Sequence, residues 1–221
     1  QKELDVESDA LDDNYTPYQI EFPLDAGCRK KISIVCTIED AYEKDAFATA
    51  AAEMARFDAL EKKAGYHDEL AETLTIAADH FLAYRQSTGL MTVLAGLPWF
   101  TDWGRDTMIA LTGLTLATGR YQDARDILTT FARYVHHGMV PNMFPDEGTA
   151  PLYNTADASM WYFYAVGKYL DYTGTPEDYA FVQETIYPKL KEIIAAYEHG
   201  TDFSIYMEED GLIHAGSGLD Q

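Results

Sequence analysis

Hydrophobic residues recur along most of the chain at the spacing that places side chains on one face of an α-helix. The first such stretch covers residues 43–64, with Phe47, Met54 and Phe57 on one face, and the second covers residues 67–85. Further helices are predicted at 105–117, 121–136, 155–172 and from residue 175 onward. The pattern therefore predicts a mainly α-helical chain, in which the stretch at 105–117 is apolar nearly all round and is expected to be buried on every side.

Several helix ends carry local signals. Thr155 is a candidate N-cap for the helix that follows it, and Thr175 precedes a proline and two acidic residues, which is typical of a helix start. Pro188 lies inside the last helical stretch, where its ring and missing N–H are expected to kink or interrupt the helix.

Two regions alternate hydrophobic and polar residues with a period of two, which predicts β-strands. One lies within residues 15–38, and the other flanks a turn at 209–211. Because a lone hairpin is marginal in water, we interpret the first region as the closing strands of a β-domain. The predicted domains are residues 1–40, with these strands and a linker, and residues 41–221, with the helices.

The loops between helices differ in length. Those before the third and fifth predicted helices are long and rich in polar and aromatic residues, whereas the turns at 118–119 and 173–174 are short. Helical hairpins that repeat about every fifty residues indicate a toroid of helix pairs, with a linear helical solenoid as the alternative. Functional residues are expected at the end that carries the long loops.

The first long loop contains the sequence PWFTDWGRDT at residues 98–107. An indole face matches the C–H face of a sugar ring, and Arg and Asp side chains exchange hydrogen bonds with hydroxyls. We therefore predict a carbohydrate site in which Trp99 and Trp103 stack on sugars, while Arg105 and Asp106 bind hydroxyls at the start of a helix.

The second long loop, residues 137–154, offers Asn and Asp side chains beside aromatic rings, and Asp146 is a further carboxylate. The alternative interpretation of both loops is structural: Asp102 caps the helix, the tryptophans fill core, and Asn142 and Gly148 form turns. The presence of two such loops at one end favours the ligand-binding interpretation. The candidate substrate-binding residues are Trp99, Asp102, Trp103, Arg105, Asp106, Asn142, Phe144, Tyr153, Asn154 and Asp157.

Two segments resemble one known family. The sequence PWFTDWGRDTMIAL at 98–111 resembles the glucosidase domain of glycogen debranching enzymes, and residues 138–158 resemble the next active-site loop of that family. The resemblance covers about 96–221 and implies part of an (α/α)6 barrel that hydrolyses α-1,6-glucosidic bonds of glycogen, limit dextrin or another branched α-glucan, with inversion and without a cofactor. It also implies that the glucose pocket is lined by Trp103, Arg105, Asp106 and Asp157.

Glycoside hydrolysis requires a general acid together with a base or a nucleophile, and the spacing of the loop carboxylates identifies none of them as the acid. In the family the acid follows a segment that resembles residues 214–221, and the base comes later. The resemblance therefore implies that both lie after Gln221 and that this chain holds about half of the twelve barrel helices. Half a closed barrel would expose an apolar face, so we expect it to fold beside the remaining half or another copy.

The formal net charge of −21, from 16 basic and 37 acidic residues, opposes binding to nucleic acids and to anionic membrane surfaces. No apolar run approaches the length of a membrane span, and we expect a cytoplasmic protein. Cys28 and Cys36 would lie about 26 Å apart on one strand, which opposes a disulfide between them. The six histidines show no metal-binding spacing, so no metal is expected.

Other functions remain open because a fold does not determine a reaction. The same toroid occurs in glucoamylases, trehalases and disaccharide phosphorylases. A non-catalytic glucan-binding module, or a helical-repeat scaffold for protein partners, is also compatible with the pattern. The particular residues of the two motifs favour the debranching type of glucosidase.

Overall fold

The computed structural model describes residues 18–38, 40–97, 99–144 and 150–215. The fold is mainly α-helical with only short strands, as the sequence predicts. The chain divides into two compact units, Gln1–Ala51 and Ala52–Gln221. The domain boundary predicted at residue 40 stays a prediction.

Residues 18–38 form no strand, so the strands predicted there are wrong over these residues. The side chains of Ile20, Ile34 and Ile38 are exposed, and a hairpin without a layer to pack against has little to stabilise it. Cys28 and Cys36 are exposed free thiols.

Helix α1 spans Ala46–Ala64 and ends before Gly65, whose positive φ of 73° terminates it. Helix α2, Glu69–Asp79, is capped by Asp68, whose carboxylate accepts from the backbone N–H of Leu70 and Ala71 at 3.1 Å each. The helix predicted over 67–85 therefore ends earlier than expected.

The residues after α2 form an antiparallel hairpin instead of helix. Strand β1, Leu82–Arg85, pairs with β2, Leu90–Val93, in the register that sets Arg85 opposite Leu90. The turn ends at Gly89, where φ is +70°. Pairing with β2 and a long-range ion pair of Arg85 override the local helical spacing.

Helix α3, Gly104–Leu111, continues as a π-helical turn over Thr112–Leu116, and α4 spans Tyr121–Arg133. Helix α5, Asp157–Tyr172, packs beside α3, and α4 packs against β2 and α5. The centre of this packing is formed by fully buried side chains: Met108, Leu111, Leu128, Phe131, Tyr162 and Tyr169.

Two details of these helices differ from the prediction. Helix α3 is not buried on every side, because α5 and β2 pack against it but leave Ile109 44% exposed. The N-cap position of α5 is Ala156 rather than Thr155, so the helix begins later than predicted.

The last helical stretch begins as predicted. Helix α6, Pro176–Phe181, has a capping box in which Thr175 and Asp178 each bond the other's backbone. A π-helical segment, Val182–Ile186, separates α6 from α7, Tyr187–His199, so the regular α-helical pattern is interrupted just before Pro188. Strands β3, Ile205–Met207, and β4, Ile213–Ala215, form the predicted hairpin.

Several large apolar side chains of the helices and the last hairpin remain exposed; among them are Ile109, Met160, Tyr164, Ile194, Met207 and Ile213. Among the helices of the described ranges, none is long and apolar enough to cross a membrane.

Candidate functional site

The two long loops meet through backbone hydrogen bonds. The N–H of Gly104 donates to the carbonyl of Asn142 at 2.7 Å, and the N–H of Phe144 donates to the carbonyl of Asp102 at 3.1 Å. Residues 142–143 also pair with Leu152 on the return of the second loop. The two long loops that the sequence predicts at one end of the helices are therefore hydrogen-bonded to each other.

Gly104 permits this close approach. A Cβ atom at this position would lie 2.1 Å from the carbonyl oxygen of Pro141, a backbone atom that cannot move without the loop. The sequence motif contains this glycine, but the need for it arises only from the packing of the second loop on the start of α3.

The most direct link between the two loops' helices is an ion pair. Arg105 in the first turn of α3 donates through Nε to Asp157 Oδ2 at 2.5 Å and through Nη2 to Oδ1 at 3.0 Å. Both side chains are nearly half exposed, at 46% and 41%. Asp157 raises the pKa of Arg105 by accepting these hydrogen bonds. The structure thus brings two predicted pocket residues together at a surface that a ligand can reach.

Asp106 follows Arg105 and lines a cleft of about 340 Å³. The rest of the lining is apolar and comes from the turn after α2, from the end of β2, and from α3 with its π-helical continuation; it includes Phe81, Val93, Ile109 and Leu114. The carboxylate is exposed. A charged acceptor beside an apolar wall suits a ligand that has both hydroxyl and C–H surfaces.

The aromatic candidates divide into two groups. Trp99 is 72% exposed, and Trp103 is half-buried with its ring edge-on to Phe100 at 6.3 Å. Phe144 is only 4% exposed and packs edge-on against Tyr134 at 5.1 Å. The ring of Phe144 thus belongs to the core, where it anchors the second loop, and its contact with substrate stays a prediction.

Asp102 lies in the interior as well. It is fully buried, both of its oxygens accept from the guanidinium of Arg85, and Oδ2 accepts from the hydroxyl of Thr92 at 2.9 Å. Its carboxylate oxygens therefore face protein donors, and substrate binding by Asp102 stays a prediction. The alternative prediction that Asp102 caps the helix is wrong, because the N-cap of α3 is Trp103.

The remaining candidates brace the second loop. Asn142 is 7% exposed and donates through Nδ2 to Asn154 Oδ1 at 3.1 Å. The Tyr153 hydroxyl donates to the carbonyl of Tyr134 at 2.7 Å, and burial raises the pKa of Tyr153. Asp146 lies outside the described residues. Within those residues, no group of three or more His, Cys, Asp or Glu side chains is placed to hold a metal ion.

A family model described as amylo-alpha-1,6-glucosidase matches residues 76–221. The chain belongs to this family. The glycogen debranching enzyme of Saccharomyces cerevisiae is 33% identical over 110 residues, which cover 45% of this chain and 7% of the yeast protein. The chain therefore spans a small part of the length of the curated relative that it matches.

The amylo-alpha-1,6-glucosidase match begins inside α2 and contains both loops with every candidate residue. It also contains Arg85, Thr92 and Gly104, which sequence reasoning did not select. The sequence signal for Gly104 was its position just before a predicted helix, between Trp103 and Arg105. Nothing in the sequence marked Arg85 or Thr92 as functional. Arg85 was the last residue of a predicted helix, and Thr92 lay in the connection that follows that helix.

Proposed function

We propose that this chain forms the sugar-binding part of a glycogen-debranching-type glycoside hydrolase, which releases glucose from the α-1,6 branch points of glycogen or limit dextrin. The observation that carries the proposal is the exposed Arg105–Asp157 pair where the two long loops meet. Membership in the amylo-alpha-1,6-glucosidase family supports the reaction type.

The pair suits a sugar because its hydrogen-bonding capacity is only partly used. A guanidinium has more N–H donors than the two that Asp157 accepts, and the carboxylate oxygens keep free lone pairs. The remaining groups bind neighbouring hydroxyls of one glucosyl unit. Trp103 and Trp99 offer stacking surfaces for the ring and for the next unit.

We assign substrate positioning, not proton transfer, to the carboxylates of this chain. Asp102 is bound inside the protein, and Asp157 is engaged by Arg105. Asp106 is exposed at the cleft and accepts from substrate hydroxyls. Other carboxylates of the same protein serve as acid and base: the acid protonates the leaving oxygen while the base takes a proton from the attacking water, and the configuration is inverted.

The test uses the full-length protein that contains this chain, with phosphorylase limit dextrin as substrate and released glucose as the product measured. Asp106→Asn and Asp157→Asn each remove a charged acceptor, and we expect kcat/KM to fall about 10- to 100-fold. The matched control is Asp171→Asn, about 21 Å along α5 from Asp157, where the carboxylate contacts only Lys168 within the described residues.

Three outcomes would contradict the proposal in different ways. If the unmodified protein binds limit dextrin but releases no glucose, it is a glucan-binding protein and the hydrolytic assignment falls. If Asp106→Asn and Asp157→Asn match Asp171→Asn, the site is elsewhere. If no glucan binds, the carbohydrate assignment itself is wrong.

A further inference from the structure

Arg85, on the β1–β2 hairpin, contacts residues of both long loops. It is the last residue of β1, and its Nε and Nη2 donate to the two oxygens of Asp102 in the first loop. Its guanidinium carbon also lies 5.6 Å from the ring centroid of Phe144 in the second loop. The Arg85 side chain is only 16% exposed, so this contact is largely shielded from water.

The neighbouring strand also binds the carboxylate of Asp102. Thr92 on β2 donates its hydroxyl to Asp102 Oδ2 at 2.9 Å, so both strands of the hairpin bind one carboxylate. Asp102 in turn accepts from the backbone N–H of Phe144 through its own carbonyl. The hairpin, the first loop and the second loop therefore converge on Asp102.

Asp102 immediately precedes the start of α3. Trp103 is the N-cap of that helix, and Arg105 and Asp106 lie in its first turn. The direction in which these two side chains leave the helix depends on where Asp102 is held. A shift of Asp102 would also shift the Gly104–Asn142 hydrogen bond that joins the loops.

We propose that Arg85 is the positioning residue of the sugar site: it holds Asp102 and Phe144 in place and thereby aims Arg105 and Asp106 at the substrate. The inference rests on the proposed function, since it concerns the same site. An arginine is required because only its planar fork donates two parallel hydrogen bonds to one carboxylate while one face lies against an aromatic ring. A lysine retains the charge but supplies one point contact.

A purely structural role predicts something different. If the pair only stabilised the hairpin, its loss would lower stability without changing how tightly folded protein binds glucan. Arg120 supplies the matched control, because its side chain is 12% exposed and pairs with Asp79, 9% exposed, at 2.5 Å. That pair joins α2 to the start of α4, and within the described residues Arg120 has no hydrogen bond or ion pair with either long loop.

The experiment measures limit-dextrin affinity and glucose release with the full-length protein carrying Arg85→Lys, Arg120→Lys or no change. We expect Arg85→Lys to weaken affinity about tenfold and Arg120→Lys to leave it within about twofold. Thr92→Val, which removes one hydroxyl at nearly constant volume, is the milder variant if Arg85→Lys does not fold. It is expected to weaken affinity by about two- to fivefold.

A mutant cycle decides whether Arg85 acts through Arg105 and Asp106. Adding Arg85→Lys to a protein that already carries Arg105→Gln and Asp106→Asn should cause little further loss of affinity, because both side chains that Arg85 aims at the substrate have already been changed. Losses that multiply, or an Arg85→Lys affinity equal to that of the unmodified protein, would overturn the inference while leaving the proposed function intact. If the unmodified protein neither binds nor hydrolyses limit dextrin, the proposed function and this inference both fall.

Discussion

Among the described residues, two arginine–aspartate pairs lie at the two long loops, and they differ mainly in burial. In the pair Arg85–Asp102 the side chains are 16% and 0% exposed, whereas in Arg105–Asp157 they are 46% and 41% exposed. Both are two-pronged, and both join segments that are far apart in sequence, by 17 and 52 residues. The same chemistry therefore serves as an internal support in one place and as an open polar surface in the other.

The physical difference lies in what happens when one partner is lost. A charge that is buried and deprived of its partner cannot recover hydration, so breaking a buried pair is strongly destabilising. An exposed charge is rehydrated at once, and an exposed pair contributes little to stability. The exposed pair can therefore bind a ligand at little cost in stability, whereas the buried pair fixes the positions of the segments that it joins.

The largest expected effect comes from breaking the buried pair. Asp102→Ala leaves the guanidinium of Arg85 without its carboxylate, and we expect the free energy of local opening to fall by about 3–5 kcal/mol. Native-state hydrogen exchange of the amides at 101–104 and 142–144, in the full-length protein, measures this change locally. A loss below about 1 kcal/mol would mean that the buried pair contributes no more to stability than an exposed pair does.

Gly104→Ala tests whether the loops must approach as closely as they do. The added Cβ would meet the Pro141 carbonyl oxygen at 2.1 Å, and the forced backbone shift should cost about 1–3 kcal/mol. The control is Gly167→Ala in α5, where a Cβ meets nothing within 4 Å and the change should stabilise the helix by about 0.5–1 kcal/mol. Equal responses in hydrogen exchange at the two sites would contradict the close contact.

Asp79 is a third carboxylate that pairs with arginine, and it is buried. The pH dependence of its contribution to stability extends the comparison of buried and exposed pairs. Burial alone would raise the pKa of Asp79, but hydrogen bonds from Arg56 and Arg120 outweigh burial and lower the pKa from its ordinary value of 3.8. Because the folded pKa is depressed, the stability that Asp79 contributes is fully present above pH 3.8 and is lost as the pH falls through the folded pKa.

Hydrogen exchange of α2 measured between about pH 5 and pH 2 should therefore show opening that becomes easier toward acid. In Asp79→Asn this part of the pH dependence should disappear, since no proton is taken up at that position. An Asp79→Asn profile parallel to that of the unmodified protein would show that other carboxylates carry the acid sensitivity.

The smallest effect on stability is expected at the exposed pair. Asp157→Asn should change the local opening free energy by less than about 1 kcal/mol, and about 0.5 M salt should reduce the difference further. The same variant is expected to lose glucan affinity, so stability and binding separate at this position. A stability loss as large as that of Asp102→Ala would show that the Arg105–Asp157 pair is also a structural support.

Much of the helical framework was predictable because its signals are local. The capping box at Thr175 and Asp178, and the apolar face of α4, involve residues within a few turns of one another. The residue content of the two loops was also readable, since Trp, Arg, Asp and Asn lie within a few residues of one another, but the polar ligand that they indicate stays a prediction. Helix ends were also predicted to within a few residues, apart from α2.

The sequence by itself determined the helices, the two polar loops and the family to which they belong, because each of these depends on residues close together along the chain. Only the tertiary structure decided that residues 82–93 form a hairpin, that Phe144 and Asp102 are buried, and that Asp157 meets Arg105. Those outcomes depend on contacts such as Arg85 with Asp102, whose energy exists only when distant segments are brought out of water together.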